Sequence, residues 1–175
     1  MNHNLFRASA VGAAVVALSG VISVSQSASA AQTCTTVANG RIQAMPGAIP
    51  EAQLSIPTCI EALPDNKVRG RAGLHWDFIN DGQSDLAGKR FTSFKVTARL
   101  ESRVPGGTDI VVTSKTCDVT TDINTAPTGD LVCLAPSATL DPKRQWSGDA
   151  TAVYDIEGDA KGPITWQLTG SPLMS

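Results

Sequence analysis

The sequence predicts an all-β domain, namely an antiparallel β-sandwich of immunoglobulin-like size with about seven strands and two local disulfides. Several segments alternate apolar and polar residues, as strands with one buried face do. Clusters of Gly, Pro, Asn and Asp separate these segments and are typical of turns. Sheets that each carry one apolar face must bury those faces on each other. A sandwich is therefore favoured, and a small closed β-barrel is the alternative.

The first 30 residues are predicted to be a secretory signal peptide. Arg7 supplies the positive charge, an uncharged apolar run follows, and Ala28, Ser29 and Ala30 form a cleavage site of the A-x-A type. No other stretch of the 175 residues is long and apolar enough to span a bilayer. We therefore expect a secreted, extracellular and monomeric protein. Residues 31–66 form a Pro-rich segment closed by a disulfide, and they belong to one domain with the sandwich at 67–175.

Two long segments show the clearest strand pattern. In residues 69–78 and 92–103 every second residue is apolar, which places one face of each strand in the core. The predicted core residues are Ala72, Leu74, Trp76, Phe78, Phe94, Val96, Ala98 and Leu100. Residues 109–119 are rich in β-branched residues and are expected to form a hairpin with the preceding strand.

The other strands are predicted from shorter patterns. They are expected near residues 37–43, 131–134, 150–157 and 164–168. Residues 44–66 contain four prolines and are predicted to be a loop, because proline cannot donate to a ladder of backbone hydrogen bonds.

The four cysteines indicate a disulfide framework, because all of them follow the signal peptide. We expect the pairs Cys34–Cys59 and Cys117–Cys133, since each pair encloses a compact segment. A zinc site is disfavoured because no C-x-x-C spacing occurs. Both bridges are expected to be local, unlike the bridge that joins the two sheets of antibody domains.

Charge excludes one class of partner and suggests another. The part that follows the signal peptide carries all 16 acidic residues and every one of the 14 basic residues except Arg7. Its net charge is therefore negative, which excludes a basic nucleic-acid-binding protein. Five basic residues occupy the polar faces of two strands, and we call this set the basic stripe: Arg69, Arg71, Lys95, Arg99 and Arg103. If the two strands are neighbours, the basic stripe would attract an extracellular protein or an anionic polymer of the cell envelope.

Trp146 is predicted to lie in a loop after residues 142–145, where it would be a second contact residue. A secreted, non-catalytic binding module that uses the basic stripe and Trp146 is therefore the predicted function.

One segment resembles a calcium-binding loop. Asp77, Asp81 and Asp85 are spaced around Gly82, and oxygen ligands around a tight turn suit this cation. The segment departs from the usual loops because Ile79 occupies a ligand position. A polar turn between two strands is the alternative. No other cofactor is expected.

Catalysis has little support in the sequence. His75 is the only histidine after the signal peptide, and no G-x-S-x-G motif occurs. Asp155, Glu157 and Asp159 form the densest acidic run, so a small secreted hydrolase that uses carboxylates is one alternative function.

An inhibitor of extracellular proteases is the other alternative. Such inhibitors present an extended loop that a nearby disulfide holds rigid. Residues 131–137 have this character, with Leu134 and Ala135 as the central residues, and residues 46–57 are a second candidate loop.

Overall fold

A computed structural model describes residues 31–35, 39–47, 51–78 and 89–175. The predicted signal peptide lies outside these residues. The elements are β1 (Gln32–Cys34), β2 (Gly40–Gln43), β3 (Ala52–Ser55), β4 (Thr58–Leu63), β5 (Lys67–Phe78), β6 (Phe91–Arg103), β7 (Ile110–Asp118), α1 (Thr120–Thr125), β8 (Thr128–Leu134), β9 (Ala138–Thr139), β10 (Gln145–Ile156) and β11 (Ile164–Gln167).

The first sheet is built around β5. Its order is β1-β4-β5-β3-β2, and β8 and β9 also pair with β5. β3 and β4 follow one another along the same side of β5 without a change of register, since Ala52 lies opposite Phe78 and Thr58 opposite Ala72. β1 and β2 line the far side of this pair, and β8 and β9 line the other side of β5. The seven segments therefore form four antiparallel strands, of which β5 is continuous and the other three are each interrupted.

The second sheet has the order β11-β10-β6-β7, and all of its pairs are antiparallel. β6 and β7 form the predicted hairpin. The apolar faces of the two sheets enclose one core, so the predicted all-β sandwich is confirmed. All eight predicted core residues of β5 and β6 are buried. Alternation predicted these strands correctly because each of them buries one face only.

The prediction of a loop at residues 44–66 is wrong. β3 and β4 lie in this segment, and Leu54, Ile56 and Ile60 are fully buried. The prolines do not interrupt the pairing with β5, because Pro57 lies between the two strands and its carbonyl oxygen accepts the Gly73 N–H at 3.0 Å. Pro64 follows the last residue of β4. Prolines at these positions are compatible with a strand, because no ladder donor is lost within it.

Two glycines bring the sheets into direct contact. Gly70 in β5 lies opposite Ile60, and Gly148 in β10 lies opposite Leu100. A Cβ on Gly70 would collide with the backbone carbonyl of Arg99, and a Cβ on Gly148 would collide with that of Cys59. Each glycine thus accommodates the backbone of the opposite sheet, and no other residue fits there.

Both predicted disulfides are present. Cys34–Cys59 joins β1 to β4 within the first sheet. Cys117–Cys133 joins β7 of the second sheet to β8 of the first, so this bridge is not local in space, contrary to expectation. Its cysteines are 16 positions apart in the sequence, and the segment between them includes α1, which carries the chain from one sheet to the other. Closing a loop of this length stabilises a fold by about 3 kcal/mol.

The helix α1 covers one end of the core, and the sequence pattern did not predict it. Its N-cap residue Val119 and its own Ile123 are fully buried against the core. The Asn124 side chain accepts the N–H groups of Arg90 and Phe91 at 2.8 and 2.9 Å and donates to the carbonyl of Phe91 at 2.8 Å. These bonds fix the start of β6.

Candidate binding site

The basic stripe does not form. Arg69 and Arg71 lie on β5 in the first sheet, whereas Lys95, Arg99 and Arg103 lie on β6 in the second. Because both strands turn their apolar faces to the same core, their polar faces point to opposite sides of the sandwich. The prediction assumed neighbouring strands, which was wrong.

Arg69 and Arg71 of the first sheet are both paired with a buried carboxylate. Arg69 Nε lies 2.6 Å and Arg71 Nε 3.5 Å from the carboxylate of Glu61, whose side chain is 8% exposed. Two cations share this anion, so the surface at β4 and β5 has a small net positive charge. Paired guanidinium groups have fewer free donors for an anionic polymer.

Arg99 is the centre of a polar cluster on the outer face of the second sheet. Its Nε donates to Glu101 Oε1 at 2.9 Å and its Nη2 to Asp149 Oδ2 at 2.6 Å. A third bond runs from Nη1 to Thr151 Oγ1 at 2.6 Å. Asp149 lies directly opposite Arg99 in β10, and Glu101 follows on the same face of β6. One guanidinium therefore holds two carboxylates side by side.

The cluster shifts the pKa values of Glu101 and Arg99. Burial raises the pKa of Glu101, Arg99 opposes this increase, and the charges of Asp149 and Asp109 add to it. Burial disfavours the charge of Arg99, but hydrogen bonds to Asp149 and Glu101 raise its pKa on balance. Glu101 is therefore the carboxylate that accepts a proton more readily than usual, beside a permanently charged arginine.

A cavity of about 250 Å³, which we call the acidic cavity, opens beside this cluster. Glu101, Asp149 and Ser147 contribute from β6 and β10. Asp109 and Arg103 contribute from the hairpin end, and Gly170, Ser171 and Leu173 from the C-terminal segment. Arg103 Nη1 lies 3.6 Å from Asp109 Oδ2. Three carboxylates therefore meet here against two guanidinium groups.

The prediction that Trp146 lies in a loop is wrong. Trp146 belongs to β10 and is 4% exposed. Its Nε1 donates to the carbonyl oxygen of Asp141 at 3.1 Å, and its backbone pairs with Met174. The polar residues before it form a short turn, and β10 begins one residue earlier than Trp146. A buried indole with a satisfied N–H stabilises the core and presents no surface to a partner.

The calcium hypothesis concerns residues that the structure describes only in part. Asp77 is exposed near the end of β5, and Asp81 and Asp85 lie outside the described residues. Within the described part of the chain, no three His, Cys, Asp or Glu side chains are grouped so as to hold a metal ion. The calcium site remains a prediction.

The residues considered for catalysis lie on exposed surfaces. His75 Nδ1 is 2.9 Å from Asp130 Oδ1, with side chains that are 49% and 82% exposed. Glu157 is hydrogen-bonded to Lys89 and Thr92, and these bonds lower its pKa. Asp155 lies in β10, opposite Ser93. The carboxylates that do meet in a cavity, Glu101 and Asp149, are not those of the acidic run.

The proposed inhibitor loop is a strand. Leu134 ends β8, and Ala135 is 2% exposed and donates its N–H to the Gly70 carbonyl at 3.0 Å. The second candidate loop contains β3. A segment that is paired in a sheet cannot enter a protease cleft in extended form without leaving that sheet. The expectation of a disulfide-braced loop at Leu134 is therefore wrong.

Sequence reasoning missed the acidic cavity because its residues come from three separate segments. Glu101 lies on the predicted polar face of its strand, whereas Asp149 precedes the strand predicted at residues 150–157, so the sequence pattern does not bring the two together. Within the described ranges, no helix is long and apolar enough to cross a membrane. Comparison of the chain with protein-family models, with curated proteins and with solved structures finds no match.

Proposed function

We propose that this protein is a secreted, non-catalytic binding module that holds a cationic group in the acidic cavity. The favoured cation is a lysine or arginine side chain of an extracellular partner protein. The single observation that carries this proposal is the convergence of Glu101, Asp109 and Asp149 on one cavity. The predicted signal peptide and the two disulfides support an extracellular location.

The energetics of the cavity favour a positive guest. Ionised Glu101 is only 13% exposed, and burial disfavours its charge. A bound cation would offset this cost, because opposite charges attract more strongly where water is excluded. The arginines do not neutralise the cavity completely, since Arg99 and Arg103 face three carboxylates. A volume of about 250 Å³ suits the end of one side chain better than a polymer.

An anionic ligand has less support. Four of the five basic residues of the proposed stripe form ion pairs with carboxylates, namely Arg69, Arg71, Arg99 and Arg103. An anion would have to displace these partners, so salt-sensitive binding to a polyanion is the result that would contradict the proposal.

Replacing Asp109 with asparagine should weaken binding of the tripeptide Gly-Arg-Gly by about three- to tenfold. The change removes one negative charge and releases Arg103, whose charge then repels the guest. NMR titration of the mature protein gives the dissociation constant. Asp155→Asn is the matched control. It also removes one negative charge, but Asp155 lies six residues beyond Asp149 on β10 and does not line the acidic cavity. Equal affinities of both variants, or tighter binding of Gly-Glu-Gly, would refute the proposed site.

Binding should also weaken on acidification. The raised pKa of Glu101 means that this group loses its charge at a higher pH than an ordinary glutamate does. Cation affinity therefore decreases through that pKa, provided that the fold persists. Glu101→Gln should bind more weakly at neutral pH and show a flatter pH profile. An unchanged profile would exclude Glu101 from the binding site.

Hydrolysis with a carboxylate pair is the second candidate function. It is favoured by the raised pKa of Glu101, which suits a general acid, and by the second carboxylate, Asp149, that Arg99 holds beside it. Release of reducing ends from a panel of soluble oligosaccharides tests this function. Turnover that Glu101→Gln abolishes without a change in unfolding midpoint would support the hydrolase and replace the binding proposal. Absence of turnover across the panel would exclude glycoside hydrolysis of those substrates.

A further inference from the structure

A second cavity, of about 350 Å³, lies where the edges of the two sheets leave the sandwich open, and we call it the edge cavity. Its walls come from the end of β2 in the first sheet and from the β10–β11 turn in the second. Met45, Pro46, Ile156 and Ile164 supply apolar surface. This volume is within the range of small-molecule sites.

A hydrogen-bonded wall fixes the shape of the edge cavity. Arg41 Nη1 donates to the hydroxyl oxygen of Tyr154 at 2.7 Å, and that hydroxyl donates to Gln43 Oε1 at 2.7 Å. Tyr154 is fully buried and stacked on Phe94. The Arg41 guanidinium also lies 4.9 Å from the ring centroid of Trp166. Because these groups connect the two sheets, the wall that includes Gln43 is held in place.

The charge around the edge cavity is unbalanced. Lys161 lines the cavity, and Arg41 is connected to the lining residue Gln43 through the Tyr154 hydroxyl. No ion pair joins either cation to a carboxylate in the described part of the chain. Asp159 also lines the cavity and keeps its negative charge, and its Oδ1 accepts the backbone N–H of Lys161 at 2.9 Å. Lys161 and Arg41 together exceed it by one positive charge. An anionic group near Lys161 would therefore meet a favourable field.

We propose that the edge cavity binds a small amphipathic carboxylate. Its apolar body would lie against Met45, Ile156 and Ile164, and its anionic head would lie beside Lys161 at the rim. The apolar surface supplies affinity through burial, and the lysine selects the charge of the head group. This site is separate from the acidic cavity and takes a ligand of opposite charge.

Octanoate is the probe, and 1-octanol is its neutral counterpart with the same chain. We expect octanoate to shift the methyl NMR signals of Met45, Ile156 and Ile164 and to bind more tightly than octanol. Lys161→Gln should weaken octanoate binding by about two- to fivefold and leave octanol binding unchanged. Lys143→Gln, which removes an exposed lysine from another turn, is the matched control and should have no effect.

A second pair of variants tests the cavity itself. Ala44 is exposed and lines the edge cavity, so Ala44→Trp should block its mouth and abolish binding of both probes. Ile42→Trp, two residues earlier on an exposed site, should bind like the wild type. Retained binding in Ala44→Trp, or equal affinity for octanoate and octanol, would overturn the proposal. Asp109→Asn should leave octanoate binding unchanged, which separates this test from that of the acidic cavity.

Discussion

Replacing Gly70 with alanine should lower the free energy of unfolding by at least about 3 kcal/mol, the upper end of the usual cost of overpacking. The added Cβ would collide with the backbone carbonyl of Arg99 in the opposite sheet. A flexible side chain can rotate away from such a collision, but a carbonyl paired within a sheet cannot. The two sheets would have to separate locally, which also loosens the core around Leu100.

Two further variants make this prediction specific. Gly148→Ala should be similarly destabilising, because its Cβ would meet the Cys59 carbonyl from the other side. Gly73→Ala is the matched control: it lies on β5 too, but its Cβ would meet only Pro57 Cγ at 3.7 Å, an ordinary contact. We expect the control to change stability by less than about 1 kcal/mol.

Urea unfolding followed by tryptophan fluorescence, with the disulfides intact, measures all three variants. Similar midpoints for Gly70→Ala and Gly73→Ala would show that the sheets can move apart at little cost. If Gly70→Ala does not accumulate as folded protein while Gly73→Ala does, the prediction is also fulfilled.

Strands that bury one face could be predicted from the sequence. Phe94, Val96 and Leu100 are each flanked by polar neighbours, and each is buried as expected. The same pattern does not tell which sheet a strand joins. β5 and β6 are consecutive in the sequence yet face each other across the core, so side chains predicted to be neighbours lie on opposite surfaces.

Composition alone misled the prediction for residues 44–66. Four prolines there are typical of a loop, but Pro57 occupies the interruption between β3 and β4, where no N–H is required. The sequence also does not indicate that Gly70 contacts the backbone of the opposite sheet, because Gly70 occupies an ordinary core position in the alternating pattern. A close backbone approach depends on the partner sheet, which local sequence does not contain.

The acidic cavity could not be predicted for a related reason. Arg99 and Asp149 are 50 residues apart in sequence, and only the pairing of β6 with β10 places them side by side. Arg99 was recognised as an outward-facing cation. Its role in holding two carboxylates depends on the register of β6 against β10. A hydrophobic pattern shows which face of a strand a residue occupies, but not which residue of the neighbouring strand lies opposite it.

Replacing Arg99 with methionine should destabilise the protein by about 2 to 3 kcal/mol at neutral pH, because two largely buried carboxylates lose their cation. The side chains of Glu101 and Asp149 are only 13% and 20% exposed. Methionine retains much of the apolar stem of arginine, so the loss reports charge and hydrogen bonding more than packing. Arg103→Met is the control and should cost less than about 1 kcal/mol, since its 3.6 Å pair with Asp109 is more exposed.

The pH dependence of the Arg99→Met effect identifies its cause. The pKa of Glu101 is already raised by burial, so ionised Glu101 lowers the stability of the fold at neutral pH compared with a fully hydrated glutamate. Without Arg99 this pKa should rise further, and the stability gap to the wild type should narrow as acid protonates Glu101. Urea unfolding at neutral and mildly acidic pH measures the gap. The double variant Arg99→Met, Glu101→Gln should recover part of the loss at neutral pH. A gap that is independent of pH, with no recovery in the double variant, would show that packing of Arg99 rather than its charge stabilises this face.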